Sequence, residues 1–269
     1  MLLLKRIRHR SFLFAACLLL PLLAGAQAVE REVLLLPILS EPLPGAFGAL
    51  WRTDVWFMRT SELASIAPVV DRNCLPPRCG PPPPPLPQPF EAVQPPLYRT
   101  RGGEPPGVLL YVPKNAVRDV ILNVRVVDTS RQDLTDGVVI PVVKEADLTA
   151  SVHLLNVGVT PHSRIMLRVY APFAPDLSRV RVRVYSIPLP DQLVLEQEIA
   201  LGRAVTDPLP NWTLPIVPAS AELSLPLPQL APGRTPLRIE VTPVSPGLRL
   251  WAFASVTNNI TNEITIVTP

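Results

Sequence analysis

The sequence predicts an all-β protein of two tandem immunoglobulin-like β-sandwich units, with one large β-sandwich as the alternative. Three observations carry this. The chain has 36 prolines, spread through almost its whole length. Proline in a helix interior costs about 3 kcal/mol, so long helices are nearly excluded. Yet 48% of the residues are apolar, too many for a disordered proline-rich chain. The apolar residues fall in segments of roughly five to ten, some strictly alternating, bounded by Gly, Pro and Asn turns. Many short strands with such turns make a sandwich or barrel.

The first 28 residues lie outside that fold. Lys5, Arg6, Arg8 and Arg10 precede a short apolar run over residues 11–23, and Ala26-Gln27-Ala28 places small residues where a signal peptidase reads. Residues 1–28 are therefore expected to be a signal peptide cleaved before Val29. Export to the periplasm or the cell exterior follows. The run is too short to span a bilayer comfortably, and no integral membrane segment is expected after cleavage. A lipidated Cys17 is a poor alternative, because Phe14 stands where an aliphatic residue is usual. Removing the leader changes the charge. The whole chain has 25 Lys and Arg against 22 Asp and Glu; four cations leave with the leader, so 21 face 22. The basic balance is thus no sign of nucleic-acid binding, which needs clustered Lys and Arg.

In the mature chain, residues 33–39 form an apolar run broken by Pro42, Pro44 and Gly45. Residues 50–59 alternate as a strand. Trp51, Thr53, Val55 and Phe57 share one face; Arg52, Asp54, Trp56 and Met58 share the other. Residues 66–70 are a further candidate. A Pro-rich insertion is expected over about 74–106, with Pro81 to Pro85 and Pro89 in polyproline II or irregular backbone. A stiff spacer is favoured over a ligand for an aromatic groove. Cys74 and Cys79 are the cysteines left after cleavage. In an oxidising compartment this even pair is expected to form a disulfide stapling a loop tip. Zinc would need more ligands, and no His is nearby. A redox pair usually has two intervening residues opening a helix, which Leu75-Pro76-Pro77-Arg78 cannot do.

Strand patterns resume at 107–112, 120–127 and 138–143, and residues 144–148 fit one helical turn. The series continues at 152–157, 164–170, 180–187, 192–199, 219–225, 237–241, 248–256 and 263–267. Arg179, Arg181 and Arg183 alternate with Val180, Val182 and Val184, as in a half-buried strand. Residues 192–199 could be its hairpin partner, with Glu196 and Glu198 pairing the arginines. Residues 120–143 and 248–269 share one plan: a strand, a polar Thr/Asn/Asp loop and a β-branched strand. Two related sandwiches would show this at their closing hairpins; convergence on hairpin chemistry is the competing reading. A boundary near 148–151 gives a domain over 29–148, carrying the Pro-rich insertion, and a sandwich over 149–269.

Catalytic chemistry is sparse. His153 and His162 remain after cleavage, with no triad or ligand partner at a recognisable spacing. There is no Gly-x-Ser-x-Gly elbow, His-Glu-x-x-His motif or phosphate-binding glycine loop. Asp128, Asp133 and Asp136 depart from the Asp-x-Asp-x-Asp-Gly calcium pattern and read as turn residues. Trp51, Trp56, Trp212 and Trp251 could form a sugar platform, although Trp251 looks like core. Asn211-Trp-Thr213 and Asn259-Ile-Thr261 match the glycosylation sequon, which matters only in a eukaryotic secretory host.

Asp128-Thr-Ser-Arg131, residues 140–145 (Ile-Pro-Val-Val-Lys-Glu) and residues 251–259 (Trp-Ala-Phe-Ala-Ser-Val-Thr-Asn-Asn) resemble a group of uncharacterised secreted bacterial proteins with immunoglobulin-like β-sandwiches. The likeness runs across most of the mature chain. It implies export and a sandwich fold, and carries over no catalytic residues. The expectation is an exported, non-enzymatic binding or structural module. It would have no cofactor or metal, and a protein or glycan partner that the sequence does not name. Two further readings are a glycan-binding accessory domain or carbohydrate-active enzyme, and a subunit of a larger assembly closed by edge-strand pairing. The last predicts a long, proline-free edge strand.

Overall fold

A computed structural model of the chain describes residues 30–39, 43–44, 48–60, 90–94, 96–100, 106–130, 137–187, 192–206, 214–226, 236–261 and 263–269. The expected signal peptide over 1–28, the candidate strand at 66–70, the prolines at 81–89, Cys74 and Cys79 lie outside these residues. The regular structure is almost entirely β, as composition demands. Among the described residues no helix is long and apolar enough to cross a membrane.

The N-terminal half contains β1 (Arg31–Pro37), β2 (Leu43–Pro44), β3 (Leu50–Arg59), β4 (Phe90–Gln94), β5 (Leu97–Thr100), β6 (Gly107–Pro113), β7 (Val120–Asp128), β8 (Val138–Ile140) and β9 (Val143–Lys144). One sheet runs β4–β5–β3–β7–β8, with β2 also on β3; another runs β6–β1–β9. Period-two alternation in β3 sends Trp51, Thr53, Val55 and Phe57 into the core, where Val55 lies opposite Val124 and Val124 opposite Ile140. Residues 138–143, read as one strand, are two. Pro141 lacks an N–H for the ladder. Residues 138–140 pair with β7, and residues 143–144 pair with β1 in the other sheet. The strands β4 and β5 fall inside the expected insertion at about 74–106. They add a hairpin to β3 and bring Tyr98 into the core, edge-on to Phe57.

The C-terminal half contains β10 (Val152–Val157), β11 (Ser163–Ala171), β12 (Arg179–Ser186), β13 (Gln192–Ala200), β14 (Val205–Thr206), β15 (Pro215–Val217), β16 (Ala219–Leu225), β17 (Leu237–Pro243), β18 (Trp251–Asn258) and β19 (Ile264–Val267). Its sheets run β10–β17–β12–β13 and β16–β11–β18–β19, with β14 and β15 as a small ribbon. Val152, Leu154, Leu167, Val169, Val182 and Ile239 fill the space between the two large sheets.

Part of the strand pairing recurs in the two halves, although β12 and β13 have no counterpart in the first. In chain order, β1, β3, β5, β6, β7 and β8 correspond to β10, β11, β16, β17, β18 and β19. Four antiparallel pairings recur: β1 with β6 and β10 with β17; β3 with β5 and β11 with β16; β3 with β7 and β11 with β18; β7 with β8 and β18 with β19. The agreement extends to single atoms. Asp128 ends β7 and its Oδ1 accepts the Ser130 N–H at 3.0 Å. Asn258 ends β18 and its Oδ1 accepts the Ile260 N–H at 2.8 Å. The next residue, Thr129 or Asn259, donates its N–H to Leu50 or His162, each opposite that turn. The plan seen at residues 120–143 and 248–269 is thus matched by pairing, beyond shared composition.

Residues 31–269 cluster as one compact unit. The central strands of the sheet β16–β11–β18–β19, β11 and β18, are covered on both faces along most of their length. Ile165, Leu167, Val169, Ala252 and Ala254 face the C-terminal core, while Tyr170, Trp251, Phe253 and Ile264 belong to the N-terminal one. Consecutive burial along β18 follows from this, since neither face meets water. Gly107 sits at the junction, where a Cβ would lie 2.9 Å from Pro218 Cγ and 3.0 Å from Tyr170 Cε1. Residues 148–151 connect the halves. Arg249 holds that connection through the carbonyls of Leu148, at 2.6 Å, and Ala146.

Candidate binding surface

The outer face of β3 is the site best defined by side chains. Alternation turns Asp54, Trp56 and Met58 away from the core, and strand register sets their neighbours. Trp56 lies between Leu97 and Asn123, Met58 beside Ile121, and Asp54 between Arg99 and Arg125, with Val139 beyond Arg125. Trp56 is 45% exposed, Met58 48%, Ile121 49% and Val139 50%. An indole and its aliphatic neighbours therefore stand on an open sheet surface.

Asp54 shares that face yet is buried. Arg99 covers it in a two-pronged ion pair, Nε to Oδ1 at 2.6 Å and Nη2 to Oδ2 at 2.7 Å. Paired geometry of this kind fixes both side chains and satisfies the carboxylate. Beside it, Arg125 Nε donates to Asn123 Oδ1 at 3.1 Å. The face thus offers an apolar strip bordered by polar groups held in place. It can stack a flat ring or an apolar side chain and orient it through hydrogen bonds.

A second concavity, about 380 Å³, opens at one end of the C-terminal sandwich between the β10–β11 and β18–β19 loops. Asn156, Thr160, Ser163, Asn258 and Glu263 line it. Much of that polarity serves the loops. Thr160 and Ser163 hydroxyls bond each other at 2.8 Å, Asn258 caps its own turn, and Glu263 accepts from Thr261 at 3.0 Å.

The Arg179, Arg181 and Arg183 stripe lies opposite β13 as its alternation implied. Arg181 reaches Glu198 at 2.7 Å and Glu196 at 3.3 Å, and Arg183 reaches Glu196 at 3.3 Å. His153 is exposed on β10, opposite Glu240, and His162 is exposed in a turn. Trp51 and Trp251 are core, and Trp251 packs on Tyr170 and Phe253. Asp128 holds the N–H groups of Leu50 and Ser130, whereas Asp133, Asp136, Asn211 and Trp212 lie outside the described residues. Asn259 stands exposed in the β18–β19 turn. Among the described residues no group of three His, Cys, Asp or Glu could hold a metal ion.

Two arginine pairs, each with one buried member, escaped sequence reasoning: Arg99 with Asp54 and Arg168 with Glu222. Arg168 is 1% exposed, bonded to Glu222 at 2.7 Å and Ser255 at 3.0 Å, and stacked over Phe253. The available signal was a charge inside an otherwise apolar strand, which a period-two reading assigns to solvent.

Comparison with models of known families finds no match, and the same holds for curated proteins and for solved structures.

Proposed function

We propose that this chain is an exported, non-enzymatic β-sandwich protein that binds a partner through the outer face of β3. The observation that carries the reading is Trp56, a large aromatic held in the open beside the ordered Asp54–Arg99 pair. Aromatic residues in such settings dominate recognition energies, while pinned polar neighbours give orientation. Binding by surface complementarity needs no reaction chemistry. The leader over residues 1–28 supports action outside the cytoplasm, and oxidation there would join Cys74 to Cys79.

On fold, the finer reading is two tandem immunoglobulin-like units. It is supported by the repeated strand pairings and, in the C-terminal half, by the pairs β16–β11 and β17–β12, one within each sheet, as the two sheets of such sandwiches each hold. The sheet shared by both cores supports a rigid pair rather than beads on a string.

A glycan is the second reading for the occupant, favoured by the indole with Asn123 and Arg125 beside it. A glycan array and a pull-down with the mature protein test both, each repeated with Trp56→Ala. The proposal expects one glycan class or one co-purifying protein that the variant loses. Equal capture by wild type and variant would remove this face from the reading.

A further inference from the structure

We propose that the free edge of β13 receives a β-strand from a partner protein, and that this strand alternates basic and apolar residues. β13 ends the order β10–β17–β12–β13, and among the described residues nothing pairs with its outer side. It is nine residues long, about 30 Å at the usual strand rise, with no proline or lysine. Such an edge presents a row of unpaired backbone N–H and C=O groups, and prolines and lysines are the common means of blunting it. Its register slips at Val194, between the pairs Val184–Leu195 and Tyr185–Leu193, and runs regularly from Leu195 to Ala200.

The side chains state what the added strand must carry. The outward face of the sheet is striped by charge, with Arg179, Arg181 and Arg183 along β12 and Glu196 and Glu198 along β13. The glutamates form the outermost stripe, and their side chains stay 41% and 34% exposed. A next strand that continues the alternation is basic on this face. On the other face Leu195 and Ile199 are half-buried at the margin of the core, where apolar residues of the incoming strand would cover them. A second copy of β13 is a poor occupant, because antiparallel self-pairing sets glutamates against glutamates. The chain already contains a segment of the required kind. β12, Arg-Val-Arg-Val-Arg-Val-Tyr-Ser, pairs with the inner edge of β13 by this code. The outer edge presents the same side chains and the mode is strand addition.

The test uses the full mature protein and a fluorescein-labelled peptide with the β12 sequence, followed by anisotropy. Saturable binding below about 1 mM is expected, weakened tenfold or more by Glu196→Gln with Glu198→Gln. A peptide of the same sequence, N-methylated on alternate residues so that its hydrogen-bonding edge is blocked, leaves the protein untouched and should not bind. A peptide with glutamate in place of each arginine should not bind either. Absence of saturable binding, or equal binding of the blocked or acidic peptide, would overturn the proposal.

Discussion

The Tyr170 hydroxyl donates a hydrogen bond to the Pro106 carbonyl at 2.8 Å, across the junction between the halves. Tyr111 answers from the other side, donating to the Pro215 carbonyl at 2.6 Å. Each half thus satisfies a proline carbonyl of the other with a tyrosine anchored in packed side chains. Tyr170→Phe keeps the ring and leaves the Pro106 carbonyl without this donor. A loss of about 1 kcal/mol is expected, read as a lower urea midpoint. Because both cores meet at this sheet, the transition should remain single, with tryptophan fluorescence and far-ultraviolet dichroism coinciding.

Alkali should loosen the same junction. Burial pushes the Tyr170 and Tyr111 phenols well above their ordinary value of 10. The folded state then keeps protons that the unfolded state loses above pH 10. Stability from these groups is complete below that pH and declines above it. Tyrosinate absorbance should therefore appear in part with unfolding rather than before it. Tyr170→Phe should flatten the alkaline decline in stability; an unchanged slope would contradict this account.

Asp54 and Glu198 separate buried from exposed ion pairing. Asp54→Ala removes the buried carboxylate that both prongs of the Arg99 guanidinium hold. Breaking a buried pair typically costs about 3–5 kcal/mol, and the partial exposure of Arg99 argues for the lower end. Reversible urea unfolding of the variant measures it. Glu198 is held below the usual carboxylate range by its hydrogen bond from Arg181. Its contribution is present above that range and lost as pH falls through the lowered value. Proton-detected titration of its carboxyl carbon should show the lowered value, and Arg181→Gln should raise it toward the ordinary one, with Arg179 still nearby.

The strands were readable because most obey one rule, alternation between a wet and a dry face. Residues 50–59 and the Arg–Val repeat of β12 took their places accordingly. Legibility failed where that rule does not apply. Tyr98 belongs to a short hairpin within a proline-rich stretch, whose composition says spacer. Arg168 occupies a stretch of β11 buried on both faces, where alternation carries no information about water. The division of residues 138–143 depended on one absent N–H at Pro141. Trp56 was visible as an outward residue, whereas the Arg99 beside it is brought there by pairing over 45 positions.

The shared sheet also sets an order of events. Synthesis delivers β1, β3, β6 and β7 first, yet their core includes Tyr170, Trp251, Phe253 and Ile264. A chain emerging from its N-terminus must hold Val33, Leu35 and Leu109, which meet Pro172 and Phe173 of the later half, incompletely covered until those residues arrive. Contacts of such long separation form slowly. The first half is born before its own interior is complete, and the last strands close both.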